Sequence, residues 1–223
     1  MRLTIEQFAE MMMDGRTEAC WSEVRAMTEA GYNSLFVYEQ LLAPAMNYIG
    51  DLWEQNLVSV ADEHLASAVC EILLSRYGAM TMPASAHEGR AMLLCVEGEG
   101  HALGLKMAHA LFREHGWDGR CFGAGLPLRD TLIHAMKWKP DVVALSAADP
   151  GLLPTLAEYV ETLNGIPYAP VVMVGGRALL YAGADAALPG RATRMSGLAQ
   201  LQAWLEAHRL ARSAAGTRSG RLG

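Results

Sequence analysis

The 223 residues are enough for one large domain or two small ones, and an apolar content of 52% gives them a substantial core to bury. A formal charge of −6 excludes a general nucleic-acid binder. The absence of any run of about 20 apolar residues excludes a membrane span, and the early acids in Met1-Arg2-Leu3-Thr4-Ile5-Glu6-Gln7 do not suit a signal peptide. Cys20, Cys70, Cys95 and Cys121 are scattered without zinc-site spacing, which predicts reduced thiols in a cytoplasmic protein.

From residue 4 to about 80 the pattern is helical. Thr4 with Gln7 forms a capping box for a first helix to about Asp14. Thr17 opens a second, ending near Gly31, a C-terminal glycine stop. Asn33 or Ser34 opens a third, with Leu35, Val37, Leu41, Leu42, Met46 and Ile49 along one face, and Pro44 inside it predicts a kink. Ser59 opens the fourth, carrying Val60, Leu65, Ala68, Val69, Ile72 and Leu73. Four helices joined by short turns predict a bundle over residues 1–82. Residues 83–90 are small and turn-forming and predict a linker.

Beyond the linker the pattern alternates. Strands are predicted at 91–96, 119–123, 141–146, 170–174 and, weakly, 185–188; helices at 102–115, 128–138, 151–164, 177–182 and 196–210. Strands interleaved with helices imply a parallel sheet, so 91–210 is expected to be a second, α/β domain. The Arg-, Ser- and Gly-rich stretch 211–223 is expected to be a disordered tail.

Three features stand where successive strands would end. Glu97-Gly98-Glu99-Gly100-His101-Ala102-Leu103-Gly104 follows the first strand, Ser146 the third, and Gly175-Gly176 the fourth. Ligands of open parallel sheets sit beyond the carboxyl ends of the strands, which is a physical reason to group these residues. A neutral imidazole on such a loop can offer one nitrogen to a metal while a carboxylate holds the proton on the other. The blander readings are a solvated loop histidine, a surface carboxylate, a strand-end serine and an ordinary Gly-Gly turn. Glu97 and Glu99 do not make a glycosidase pair, because both leave one loop and no groove is evident. Nor is Gly98-Glu99-Gly100 the dinucleotide fingerprint, whose third glycine would fall at Leu103.

These spacings resemble the cobalamin-binding domain family. Its pattern is Asp-x-His-x-x-Gly, about 41 residues, Ser-x-Leu, about 26 to 28 residues, then Gly-Gly. Here 41 residues separate Gly104 from Ser146 and 26 separate Ala148 from Gly175. The resemblance implies a Rossmann-like, flavodoxin-like domain. In it His101 would bind cobalt from below, oriented by Glu99, with Gly100, Ala102 and Gly104 on the same loop. Ser146 and Ala148 would contact the displaced dimethylbenzimidazole base, and Gly175 and Gly176 would leave room for its tail. Glu99 stands where the pattern has Asp, and Ala148 where it has Leu. Leu152 stands near the place where some members carry a serine that completes a proton relay.

The upstream half carries a second match. Trp53, nine residues, then Glu63-His64 is similar to the cap of CarH-type photoreceptors, which bind adenosylcobalamin beneath a four-helix bundle. The resemblance implies that Trp53 shields the adenosyl group and that Glu63 and His64 line the upper face. On spacing alone Trp53 is equally a bundle core residue in line with Ile49. Glu63 and His64 are about 100° apart around a helix and cannot share one face fully. Position 54 is Glu, where familiar members have the histidine that takes cobalt after photolysis; His64 is the nearest substitute. The match covers about residues 1 to 207 and lacks the DNA-binding domain that opens CarH proteins.

The function expected is therefore a non-enzymatic light sensor. It would bind adenosylcobalamin (methylcobalamin and hydroxocobalamin being the other candidate forms), assemble as a homo-oligomer, dimer or tetramer, and signal through a regulatory protein partner. The alternative is a corrinoid methyl carrier of a methyltransferase system, which needs its upper face reachable.

Overall fold

The computed structural model describes residues 3–81, 88–181, 183–188 and 190–219. The chain divides into two compact units, Met1–Met82 and Pro83–Gly223. Most of the expected linker lies outside the described residues, and the first strand already includes Arg90.

The first unit is all helical: α1 Ile5–Met13, α2 Thr17–Glu29, α3 Ser34–Val37, α4 Ala43–Glu54 and α5 Val60–Met80. Local chemistry sets the starts. Thr4 and Gln7 bond reciprocally as a capping box, Asn33 accepts the Phe36 amide, and Ser59 and Asp62 form a second box. Between α3 and α4 the expected kink is instead a π turn, Tyr38–Leu42. Pro44 has no N–H and its ring crowds the carbonyl four residues back, so the turn widens and the Ala43 amide reaches Tyr38. Phe8, Met12, Val24, Leu41, Ile49, Leu73 and Tyr77 fill the core between the helices, each worth about 1.5–3 kcal/mol if fully withdrawn from water. Within that core the Ser34 hydroxyl meets the Tyr77 hydroxyl at 3.3 Å, so neither buried polar group is unpaired.

The second unit is a five-stranded, all-parallel sheet in the order β2-β1-β3-β4-β5. Its strands are β1 Arg90–Cys95, β2 Asp118–Cys121, β3 Val142–Ser146, β4 Val171–Gly175 and β5 Thr193–Arg194. Its helices are α6 Leu103–Glu114, α7 Leu128–Trp138, α8 Leu153–Asn164, α9 Ala184–Ala187 and α10 Leu198–Ser219. The central strands β1, β3 and β4 read as apolar runs because both faces are covered. Met92, Leu94, Val143, Leu145, Val172 and Val174 belong to one buried cluster with Ala135 and Trp138 of α7 and Leu156, Tyr159, Val160 and Leu163 of α8.

Three expectations fail here. Residues 185–188 are not a strand; Ala184–Ala187 form a helical turn and the fifth strand lies at Thr193–Arg194. Alanine-rich sequence favours helix, and a two-residue strand carries no readable alternation. The helix expected at 177–182 is a short 3-10 turn, Arg177–Leu180. The last helix runs on to Ser219, so 211–219 is helical and not disordered, with 220–223 outside the described residues. The alanines and arginines there are good helix formers, and they outweigh Gly216.

Pairing places Cys95 opposite Ser146 and Ser146 opposite Gly175. The ends of β1, β3 and β4 thus form one row. The strand order reverses between β1 and β3, which opens a crevice beyond that row.

Candidate functional site

The loop after β1 opens with a tight turn. The Glu99 amide donates to the Val96 carbonyl at 3.0 Å, and Gly98, third in the turn, has a φ of 87°. That value suits glycine and places the following carboxylate inward. The Glu99 side chain is 1% exposed. Its Oε1 accepts both the His101 amide and the His101 ring Nδ1, each at 2.7 Å. Its Oε2 accepts the amides of Ala148 and Asp149, the second at 3.3 Å. One buried carboxylate therefore joins the β1 loop to the β3 loop. Burial pushes its carboxyl up, but the four hydrogen bonds outweigh that and hold it below the usual carboxylate range. An ionised Glu99 needs a proton on Nδ1, and in the neutral imidazole that leaves Nε2 of His101 with the free lone pair.

The His101 side chain is 72% exposed, so that nitrogen is offered to solvent. Behind it the Cys95 thiol donates to the His101 carbonyl at 3.5 Å. A Cβ on Gly100 or Gly104 would meet nothing within 4 Å, so the loop presents open space around the imidazole. Among the described residues no group of three or more His, Cys, Asp or Glu could hold a metal ion. A single imidazole suits a metal whose other positions are filled by a macrocycle.

Ser146 is partly buried at the end of β3, and its hydroxyl has no hydrogen-bond partner among the described residues. The two glycines after β4 differ. A Cβ on Gly175 would come no nearer than 3.7 Å, to the Met195 carbonyl, so this position has room. A Cβ on Gly176, whose φ is 105°, would fall 2.1 Å from the Ala147 carbonyl oxygen. Gly176 is glycine because its own backbone packs on the β3 loop, and no ligand is needed to explain it.

The missing leucine and the missing relay serine also have a structural counterpart. Ala148 acts through its amide, which any residue supplies, and Glu99 takes backbone donors on its second oxygen. The Leu152 side chain lies within 3.2 Å of where a Cβ on Gly98 would sit. Sequence reasoning missed Tyr159, whose hydroxyl donates to the Leu126 carbonyl at 2.6 Å and accepts the Glu97 amide at 3.2 Å. No local pattern marks a helical tyrosine as the partner of two distant loops.

In the helical unit the α4–α5 turn gathers Trp53, Glu63 and His64 at one end of a helical hairpin. Trp53 is 49% exposed and is not a core residue. The Glu63 carboxylate accepts the Ser67 hydroxyl at 2.8 Å and lies 3.7 Å from the His64 ring. The His64 side chain is 74% exposed. Two other histidines are structural: His109 bonds the Gly119 carbonyl at 3.0 Å, and His208 stacks on Trp204. None of the four cysteines is in a disulfide; burial pushes the Cys95 thiol to about 12, with Glu99 adding to the rise, and the Cys20 thiol to about 11. No helix of the described residues is long and apolar enough to cross a membrane.

Comparison with known proteins bears on both units. Residues 4–77 and residues 89–197 each match a family model described as "B12 binding domain". The chain is similar to the HTH-type transcriptional repressor CarH of Myxococcus xanthus, 28% identical over 159 residues, which is 70% of this chain and 52% of that protein. It is also similar to the repressor CarA of Myxococcus xanthus, 36% identical over 89 residues, covering 40% of this chain and 31% of that one. The chain thus spans about half the length of CarH. Among solved structures, the Methanosarcina barkeri monomethylamine corrinoid protein superposes with a TM-score of 0.74 at 14% identity, covering 91% of this chain and 97% of that one, and so has the same fold.

Proposed function

Because the chain belongs to the B12-binding domain family, we propose that it is a light-responsive regulatory protein that holds adenosylcobalamin base-off, with His101 as the lower cobalt ligand. The observation that carries the cofactor assignment is the exposed imidazole clamped at Nδ1 by a buried carboxylate. Glu99 fixes the tautomer and raises the basicity of Nε2. The unpartnered Ser146 hydroxyl supplies a donor to the displaced base, and Gly175 gives its tail room. Gly100, Ala102 and Gly104 let the loop approach the macrocycle.

When bound, adenosylcobalamin supplies a cobalt–carbon bond that visible light breaks. Trp53, Glu63 and His64 are the contacts we assign to the upper ligand. The exposed Trp53 ring has the flat apolar area to pack against an adenosyl group, and the similarity to CarH supports that assignment. Loss of those contacts biases the α4–α5 hairpin toward a second arrangement, which a partner protein or a second copy of the chain reads as a new surface. A dimer or tetramer is the assembly expected to change. His64, the one histidine of residues 1–82, would be the residue to replace the upper ligand after light.

The test is the visible spectrum and the solution size of the protein with adenosylcobalamin, before and after illumination. A photolysed spectrum with a changed size or changed protease sensitivity of the hairpin supports the sensor. Full photolysis that alters neither refutes it, and methylcobalamin formed by a partner methyltransferase would replace it with the methyl-carrier reading.

A further inference from the structure

We propose that Tyr159 is a positioning residue for the His101 ligand, acting through the turn Val96–Glu99; this rests on His101 being the lower axial ligand. Tyr159 lies on α8, and its residue is 1% exposed. Its ring belongs to the cluster between the sheet and α7 and α8. Its hydroxyl leaves that apolar surround to accept the Glu97 amide at 3.2 Å and to donate to the Leu126 carbonyl at 2.6 Å. The Leu126 amide in turn donates to the Cys95 carbonyl at 3.1 Å. One phenol oxygen therefore closes a circuit between the β1 loop, the β2 loop and α8.

The circuit holds the turn that presents Glu99. Glu97 is the second residue of that turn and Gly98, at a φ of 87°, the third. Fixing the Glu97 amide fixes the plane of the peptide that precedes it. From there the geometry passes to the Glu99 carboxylate and, at 2.7 Å, to the His101 ring. Phenylalanine would fill the same volume yet leave the Glu97 amide and the Leu126 carbonyl without this partner. The turn would then be free to rotate, and the imidazole would lose its aim while the core stayed packed.

The experiment is electron paramagnetic resonance of nitrogen-15-labelled protein loaded with unlabelled cobalamin and reduced to the cobalt(II) form. A protein imidazole on cobalt splits the signal into doublets; the cofactor's own base, carrying nitrogen-14, gives triplets. The wild type is expected to show doublets. In Tyr159→Phe we expect triplets, or no nitrogen splitting, to replace part of them, with cobalamin affinity down about 10-fold. Gly98→Ala strains the same turn from its exposed side and should give the same signature, so it decides the matter if Tyr159→Phe fails to fold. Wild-type doublets that persist undiminished in the folded variants, even with a lowered melting temperature, overturn the inference by making the phenol a purely structural tie. A wild type without doublets removes the lower-ligand reading and the inference with it.

Discussion

The two units treat their candidate residues in opposite ways. In the α/β unit Glu99 is buried, bonded to four groups, and joins two loops. In the helical unit His64 is exposed and Trp53 half-exposed, and among the described residues the Glu63 carboxylate meets a neighbouring serine and that histidine. A site bonded on every side is preorganised and holds its ligand in one geometry. A site whose side chains are free to repack can change its contacts when a ligand changes. On the proposed function, the α/β unit would capture the cofactor and the helical unit would report its state.

The contrast can be broken from its most rigid point outward. Gly176→Ala forces a Cβ onto the Ala147 carbonyl at a left-handed φ, and should cost the α/β unit more than about 3 kcal/mol. Denaturant melting measures it; a loss under about 1 kcal/mol would show that the β3 and β4 loops are not rigidly packed. His101→Ala should weaken cobalamin retention by more than about 100-fold, beyond the range for an outer partner. It should lower the melting point of the cofactor-free protein only slightly, because the ring is exposed and three of the four bonds to the buried Glu99 carboxylate remain. Equal retention after desalting would end the lower-ligand reading. Glu99→Gln should weaken binding by about 10 to 100-fold, and a change confined to stability would separate the carboxylate from the ligand.

Smaller effects sharpen the other side. Trp53→Ala should cost clearly less stability than the roughly 3–5 kcal/mol of truncating a fully buried aromatic, since the residue is half exposed, while altering the response to illumination. A large loss of stability would make Trp53 part of the bundle after all. The smallest effect is a pH slope from His109. Burial lowers its pKa, partly offset by its bond to the Gly119 carbonyl. The unfolded chain then takes up more protons than the fold, so stability is complete above the ordinary value of 6.5 and declines as pH falls below it. Melting temperatures from pH 7.5 to 5.5 should fall in the wild type and fall less in His109→Gln; parallel curves would count against it.

Much of the site was legible because it lies at strand ends. Apolar runs such as Met92–Val96 and Val142–Leu145 mark buried parallel strands, and the polar residues that follow must lie at the carboxyl edge. Thr4 and Ser59 marked helix starts for an equally local reason. Other features had no local signature. The fifth strand is two residues long, and the last helix draws on alanines that the composition of the tail concealed. Trp53 sits on the same stripe as buried Ile49, and periodicity alone could not tell them apart.

The sequence by itself determined the helical and alternating halves, the loop that carries Glu99 and His101, and the spacing of Ser146 and the glycines. These follow from hydrophobic period and turn chemistry, which act over a few residues. Only the tertiary structure decided that Glu99 clasps the Ala148 and Asp149 amides, that Gly176 makes room for its own fold, and that the Tyr159 phenol bridges two loops. Those contacts join residues tens of positions apart, and their partners are backbone groups that every sequence possesses. No side-chain pattern encodes which amide will be near, so the answer waits on the packing of the sheet.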